Sequence, residues 1–209
     1  MKNLKILSRI YPGKENQTKR LILKNALQCF DKYGVEKTSM EMICEKTKLS
    51  IGGVYYHFNT KEAIAASLVL ISIDDLFNYR QRYLLDAKNF EECIYALVLS
   101  YIDWVDEHPQ FAKIMLSEKF DICLGEYKCE VVKRKLNNRK KLVEWLRLPE
   151  FKSNANTDIP LDLYSSFING IPEHYCKYWL LERVSKSPKY YRKEIARSVW
   201  RIIESYQEE

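Results

Sequence analysis

The chain has 209 residues and a formal net charge of +6 at pH 7, and 46% of its residues are hydrophobic. This length allows one large domain or two small ones with a sizeable core. The longest apolar run, near residues 65–73, is too short to span a bilayer, and the N-terminus lacks the pattern of a signal peptide, so we expect a cytoplasmic protein with no membrane partner.

The positive charge is confined to one end of the chain. Residues 1–63 carry 12 Lys and Arg against 6 Asp and Glu, whereas the remaining 146 residues carry 22 of each sign. A positive field restricted to one end favours a polyanion as the partner of that end. The alternative is a basic tail on a soluble protein without such a partner.

Cysteine and histidine give no sign of a metal site. None of the six cysteines forms a C-x-x-C pair, and the three histidines lie at positions 57, 108 and 174. In a cytosolic chain we expect the thiols to be reduced. No Ser/His/Asp arrangement, glycine-rich phosphate loop or suitably spaced carboxylate pair stands out. We therefore expect no metal, no cofactor and no enzymatic activity.

The chain begins with a basic, polar stretch, residues 1–17, which is interrupted by Pro12 and Gly13. We expect this stretch to be a flexible arm, of the kind that can reach into a DNA groove. From Thr18 the apolar residues recur at helical spacing, and Gly34 is predicted to end this helix as a C-cap.

Two short helices follow, joined as in a helix-turn-helix. The sequence from Thr38 to Glu41 is a capping box at the start of the first of them, which is predicted to run to Lys46. A short connection leads to Ser50, the predicted N-cap of the second. This order predicts a small DNA-binding domain.

The residues after the second cap carry the most specific pattern. Gly52 and Gly53 weaken a helix by roughly 1 kcal/mol each relative to Ala, so this helix is suited to close approach to a flat or grooved partner. An aromatic cluster follows directly. The array closely resembles the N-terminal DNA-binding domain of the TetR family of transcriptional regulators. The residues that carry the resemblance are Arg20, Ala26, Phe30, Gly34, Thr38, Ile43, Gly52, Val54, Tyr55, His57, Phe58, Lys61 and Glu62.

Lys48 departs from the pattern of that family. It stands where the family usually has a glycine in the turn, so a left-handed backbone at this position costs about 1–2 kcal/mol.

The helix-turn-helix assigns a set of DNA contacts. An α-helix fits the major groove and its N-terminal residues meet base edges. This predicts base contacts from Ser50, Ile51, Gly52, Gly53 and Tyr56. The resemblance implies that Tyr55 and His57 donate to phosphates. Free amides at two helix starts also favour phosphates, which adds Thr38, Ser39 and Lys61.

Each of the aromatic residues has an alternative role. Tyr55 and Tyr56 could instead close the core of the small domain, and His57 could cap the helix locally. Val54 and Phe58 are predicted to be core residues under either interpretation.

The rest of the chain also has helical periodicity. Helices are predicted over residues 60–85, from 90 to just before Pro109, a short stretch after it, 122–148, 161–182 and 188–206, with a polar loop at 149–160. No strand pattern is found. The predicted fold class is therefore all-α, with an N-terminal three-helix helix-turn-helix domain joined by a long helix to a C-terminal helical bundle for ligand binding and dimerisation.

These limits predict three parts of the chain: the arm 1–17, the DNA-binding domain 18–64 and a regulatory domain 65–209. Helix 161–182 is apolar on more than one face, which predicts burial against both its own domain and a partner subunit. Gly170 and Pro172 are expected to kink it. In the TetR family the last two helices form a four-helix dimer interface, so the resemblance implies a homodimer.

A ligand cavity is the predicted feature of the second domain. Aromatic walls with a few polar tips are typical of small-molecule pockets, and a filled core is the alternative. The candidate lining residues are Tyr101, Trp104, Phe111, Met115, Tyr127, Trp145, Phe167, His174 and Tyr178.

The hypothesis from sequence is a dimeric transcriptional repressor that a small hydrophobic or aromatic molecule releases from a palindromic DNA operator. One alternative is a regulator of the same fold that is constitutive or controlled by a protein partner. Another is control by oxidation of Cys123, Cys129 or Cys176.

Overall fold

A computed structural model describes residues 2–117, 125–146 and 159–206. Within these ranges every regular element is helical, which confirms the all-α fold class. The α-helices are α1 Lys2–Ile10, α2 Gln17–Lys37, α3 Met40–Thr47, α4 Ile51–Tyr55, α5 Lys61–Leu84, α6 Phe90–Glu107, α7 Pro109–Leu116, α8 Lys128–Leu146, α9 Leu161–Ser165, α10 Ile171–Leu180 and α11 Arg192–Ser205. Among them, none combines the length and hydropathy that a bilayer crossing requires.

The predicted helix limits mostly agree with these bounds to within a few residues. The main difference is the predicted helix 122–148, which begins as α8 at Lys128 after a 3₁₀ turn at Gly125–Tyr127. Residues 118–124 and 147–158 lie outside the described part of the chain, and with them Cys123 and most of the predicted loop 149–160.

The chain divides into two compact units. The first comprises Met1–Asp75 and His108–Lys135, and the second comprises Leu76–Glu107 and Leu136–Glu209. This division differs from the predicted boundary near residue 64, because the first unit includes part of α5 and a second stretch of chain that contains α7.

Contacts between α7 and α2 explain why α7 belongs to the first unit. The carboxylate of Asp31 on α2 accepts hydrogen bonds from Gln110 Nε2 at 2.7 Å and from Lys113 Nζ at 3.2 Å. Phe111, between these two residues, is fully buried. The paired residues are about 80 positions apart in sequence, so helical periodicity could not predict their contact.

The N-terminal stretch is not the flexible arm that its polar composition predicted. Residues Lys2–Ile10 form α1, in which Ile6 and Leu7 are fully buried. Arg9 forms an ion pair with Asp75, whose side chain is fully buried. Burial of two aliphatic side chains and this ion pair offset the cost of ordering the segment.

The helix-turn-helix forms a small core in the first unit. Gly34 has φ 78° and ends the regular part of α2, as predicted, and one further turn follows it. That backbone conformation is one that glycine adopts without strain. Side chains of α2, α3 and α4 are buried together, and they include Ile22, Leu23, Ala26, Leu27, Phe30, Ile43 and Val54.

Helix α6 is the most deeply buried helix of the second unit. Its side chains Phe90 and Trp104 are buried, and α11 packs on α6 with Val199 and Ile203. Asp103 on α6 accepts a hydrogen bond from Tyr83 on α5 at 2.8 Å and pairs with Arg192 at the start of α11. One carboxylate thus connects three helices.

A π-helical turn, Ser166–Gly170, joins α9 to α10. Proline lacks the N–H that an α-helix needs at its position, and Pro172 follows this turn directly. A wider turn is one way to accommodate a missing donor. The sequence predicted a kink at Gly170 and Pro172, and the structure has the irregularity just before Pro172.

Candidate nucleic-acid interface

The turn between α3 and α4 has the left-handed backbone that the sequence predicted. Lys48 has φ 59° and ψ 26°. Its side chain is exposed. Packing of that side chain therefore does not offset the cost of the left-handed backbone, which is about 1–2 kcal/mol. Ser39 and Ser50 cap the two helices through hydroxyls that accept from Met42 N at 3.3 Å and from Gly53 N at 3.1 Å.

Replacing Lys48 by glycine is expected to raise the free energy of unfolding by about 1 kcal/mol, because glycine adopts this backbone without strain. The matched control is Lys46→Gly, an exposed position inside α3, where glycine costs about 1 kcal/mol. Urea unfolding of the two variants measures both effects. Equal losses at the two positions would contradict the account of the turn.

Gly52 is a glycine that the fold itself does not require. A Cβ atom built at Gly52 meets no heavy atom within 4 Å, whereas one built at Gly53 lies 3.2 Å from Ser50 Oγ. Neither glycine has positive φ. Contacts within the protein therefore account for a small residue at position 53 but not at position 52. The space beside Gly52 is open to a partner.

The outer face of α4 carries exposed apolar and aromatic side chains. Ile51 is 60% exposed and Tyr56 is 85% exposed, while Tyr55 is partly exposed. Val54 and Phe58 are buried, as predicted. Core closure, the alternative role considered for Tyr56, therefore does not apply to it. An exposed surface of this kind is typical of an interaction site.

His57 lies beside this face, with its ring 5.1 Å from that of Tyr56 in an edge-to-face arrangement. It is half-buried. The structure thus brings Ser50, Ile51, Gly52, Gly53, Tyr55, Tyr56 and His57 together at one helix and the residues that follow it.

Thr38 requires a correction. Its side chain is 1% exposed and its hydroxyl donates to the carbonyl of Gly34 at 2.7 Å. The hydroxyl therefore stabilises the end of α2 and is not presented to a phosphate. Ser39, in contrast, is half-buried and caps α3. The Ser39 hydroxyl lowers the pKa of the Glu41 carboxyl group. The N-cap of α3 is thus Ser39, one residue after the Thr38 with which the predicted capping box begins.

The ammonium group of Lys61 is not free to bind a phosphate. Its ammonium donates to the carbonyls of Val35 at 3.0 Å, Glu36 at 3.1 Å and Thr38 at 3.0 Å. An ammonium group has three N–H donors, so these carbonyls engage all of them. Lys61 therefore ties the start of α5 to the end of α2, and a phosphate would have to compete with that role.

Replacing Lys61 by methionine is expected to lower the free energy of unfolding by about 1–3 kcal/mol, because charge-assisted hydrogen bonds to helix-terminal carbonyls are lost. Thermal and urea unfolding measure this loss. Lys5→Met, at an exposed position of α1, is the control and should change stability by less than about 0.5 kcal/mol. Equal stability of the two variants would contradict the structural role of Lys61.

The nine residues predicted to line a ligand cavity are distributed over both units. Phe111, Met115 and Tyr127 lie in the first unit. Tyr127 lies in the 3₁₀ turn before α8, and burial raises the pKa of its phenol. The other six residues, Tyr101, Trp104, Trp145, Phe167, His174 and Tyr178, lie in the second unit.

Within the second unit these six have different environments. Tyr101 and Trp104 are buried, while Trp145 and Phe167 are half-buried. His174 and Tyr178 are exposed on α10, with ring centroids 4.6 Å apart. Neither side chain is enclosed in the interior of the chain, but His174 lines an open pocket along α9 and α10, so its role as a ligand contact stays a prediction. Their spacing of four residues explains why they stack.

Sequence reasoning missed a polar group inside the second unit. Arg80 on α5 is 7% exposed, and its Nη2 donates to Asn169 Oδ1 at 2.6 Å. Leu76 and Leu84, one turn before and after it, are buried as well. The sequence signal that could have revealed it is a cation at a position of the apolar stripe of α5.

Comparison with known proteins identifies a family and several relatives. Residues 22–68 match the family described as bacterial regulatory proteins, tetR family. The chain is 40% identical over 53 residues to the A-factor receptor protein of Streptomyces griseus and 33% identical over 104 residues to the HTH-type transcriptional repressor NicS of Pseudomonas putida. The first match covers 25% of this chain and 19% of the relative, and the second covers 49% of each.

Solved structures share the fold over a longer part of the chain. The fatty acid degradation regulator FadR of Bacillus halodurans matches 90% of this chain and 97% of its own, with a TM-score of 0.75 and 18% identity. FadR of Bacillus subtilis, solved in complex with stearoyl-CoA, matches 87% and 97%, with a TM-score of 0.70 and 13% identity. At such identities the likeness concerns the fold.

Proposed function

Because the chain belongs to the TetR family of bacterial regulatory proteins, we propose that it is a homodimeric transcriptional repressor whose α4 enters the major groove of a palindromic operator. The observation that carries this proposal is the outer face of α4, where Ile51 and Tyr56 are exposed and Gly52 borders open space. The excess of positive charge in residues 1–63 supplies the field that attracts phosphates.

Dimerisation explains how such a short helix reads enough sequence. A twofold dimer places two copies of α4 about 34–36 Å apart, one turn of DNA, and so matches two half-sites. Apolar surface for this contact is available at the end of α10, where Tyr178 and Leu181 are exposed, and at the exposed Tyr190.

A small hydrophobic or aromatic effector is the proposed signal. The names of two similar proteins refer to ligands: one is an A-factor receptor and the other was solved with stearoyl-CoA. An effector that binds better to a conformation with a different spacing of the two α4 helices shifts the population towards it and releases the DNA. Helix α5 belongs to both units, so its tilt is the proposed link.

Cysteine oxidation is a weaker explanation of control. Cys176 is fully buried, and burial raises its pKa to about 12. A buried thiol that stays protonated is a poor nucleophile towards peroxide. Among the described cysteines, Cys129 is the exposed one.

Selection of bound fragments from random duplex DNA by the purified chain tests the proposal. We expect enrichment of a palindrome whose half-sites are one helical turn apart, bound by two chains. The logarithm of the affinity should fall linearly with the logarithm of the salt concentration, as counterions are released from phosphates. Failure to enrich any sequence at low salt would contradict direct operator recognition.

A further inference from the structure

The second unit contains a buried guanidinium without a carboxylate partner. Arg80 is 7% exposed, and no carboxylate of the described residues lies within 4 Å of it. Its Nη2 donates to Asn169, but its Nε is buried and meets no acceptor among these residues. Burial lowers the pKa of Arg80 to about 10, so the group is still a cation at neutral pH.

Tyr101 adds a second donor beside this cation. The Arg80 guanidinium carbon lies 5.3 Å from the centroid of the Tyr101 ring. The Tyr101 hydroxyl is also buried without a partner in the described part of the chain. A cation–π contact offsets only part of the cost of burying a charge. Arg80 Nε and the Tyr101 hydroxyl, two buried groups without a partner among the described residues, are therefore suited to a ligand that brings acceptor oxygens.

An open pocket lies beside Asn169, the residue that accepts the hydrogen bond from Arg80, although Arg80 and Tyr101 are not among its lining residues. It has a volume of about 310 Å³ and lies along α9 and α10, with Asn169 in its wall together with Gly170 and Glu173. Since Asn169 Oδ1 lies 2.6 Å from Arg80 Nη2, the guanidinium is one side chain behind the pocket wall. The π-helical turn Ser166–Gly170 forms part of the same wall, and such turns are frequent at functional sites.

We propose that Arg80 and Tyr101 bind the carboxylate of a small organic acid that enters through this pocket. A carboxylate matches a guanidinium through two parallel hydrogen bonds. A single cation suits a singly charged group better than a doubly charged phosphate, because Glu173 close by contributes negative charge. This inference rests on the proposed function for its purpose, since the acid is then the effector or the polar end of it.

Calorimetric titration of the full chain with matched acids and amides tests the site. The probes are benzoate and hexanoate, each compared with its uncharged amide. We expect each acid to bind at least tenfold more tightly than its amide. In Arg80→Gln the ratio of the acid and amide affinities should fall to about one. Arg82→Gln removes a positive charge at an exposed position of the same helix and should keep the ratio.

Two further variants separate a binding role from a structural one. Asn169→Asp provides a carboxylate inside the protein, so it should raise the melting temperature and abolish acid binding. Lys177→Gln removes the lysine that lines the pocket itself and should leave acid binding unchanged. Three results would each overturn the proposal. The parent could bind acid and amide equally, or acid binding could be lost in Lys177→Gln but kept in Arg80→Gln. The third is tighter binding of inorganic phosphate than of the acids.

The titration is read without DNA, so its result is independent of operator binding. Arg80→Gln without ligand should bind the selected operator within about threefold of the parent. Acid binding in a chain that selects no DNA would contradict the proposed function and leave the carboxylate site standing. Operator binding together with no preference for acids would support the proposed function and contradict the carboxylate site.

Discussion

Replacing Gly52 by alanine is expected to weaken operator binding by about 10- to 100-fold while raising the free energy of unfolding by up to about 1 kcal/mol. The stability gain follows from helix propensity, because the new Cβ meets no atom of the chain within 4 Å. The binding loss follows because the same methyl group occupies the space where α4 approaches base edges. Urea unfolding and fluorescence anisotropy on the selected duplex measure the two effects.

The opposite signs make this variant informative, since a misfolded protein cannot be more stable than its parent. Ser198→Ala, an exposed position on α11, is the control and should bind the operator as the parent does. Binding to a duplex of scrambled sequence should hardly change in either variant, because phosphate contacts carry no sequence information. Unchanged operator affinity in Gly52→Ala would argue that the outer face of α4 does not touch bases.

Asp103→Ala is expected to lower the free energy of unfolding by about 2–4 kcal/mol. Asp103 is buried on α6 and holds Tyr83 of α5 and Arg192 of α11. Breaking a buried ion pair costs about 3–5 kcal/mol, and we expect less here because Arg192 is one-third exposed and can be solvated again. The hydrogen bond to Asp103 raises the pKa of Arg192, which agrees with a strong pair. Urea unfolding of the variant measures the loss.

Two neighbouring substitutions define the cause of that loss. Asp103→Asn keeps an acceptor for Tyr83 but removes the charge. The free energy of unfolding of this variant should therefore lie between those of the parent and the alanine variant. Asp106→Ala, one turn later on α6, removes only the acceptor of the Ser187 hydroxyl, and we expect a loss of no more than about 1 kcal/mol. If Asp106→Ala cost as much as Asp103→Ala, the three-helix connection would not be the source of the stability.

The helix-turn-helix could be predicted from sequence because its signals are local. Caps at Ser39 and Ser50, the glycine that ends α2 and the left-handed residue at Lys48 depend on backbone geometry within a few residues. Periodicity then sets the buried face, which is why Val54 and Phe58 were assigned correctly to the core. Such signals reach no further than one or two turns of helix.

The errors concern contacts between distant segments. The segment that forms α1 looked like a polar tail, but Ile6 and Leu7 are buried and Arg9 pairs with Asp75. Helix α7 was assigned to the second domain because nothing local reveals its hydrogen bonds to Asp31 on α2.

The candidate DNA site was predicted better than the candidate ligand site for the same reason. Residues of the first site lie on one helix and its flanks, so their spacing alone brings them together. Thr38 and Lys61 are exceptions, because the hydrogen bonds that engage them depend on how α2 ends. A cavity needs residues from several helices, and whether Tyr101 or Tyr178 faces an interior depends on packing that periodicity does not contain.

Photo-crosslinking from position 56 to the selected operator tests the central claim most directly. Tyr56 directly follows α4 and is 85% exposed, so a chain with p-benzoylphenylalanine at this position should fold normally and place the probe in the major groove. The matched control is the same substitution at Tyr190, which is 64% exposed in the second unit. The account predicts a covalent adduct with base atoms of each half-site from position 56 and none from position 190. Equal yields from the two positions, or an adduct from position 190 alone, would contradict operator recognition by α4.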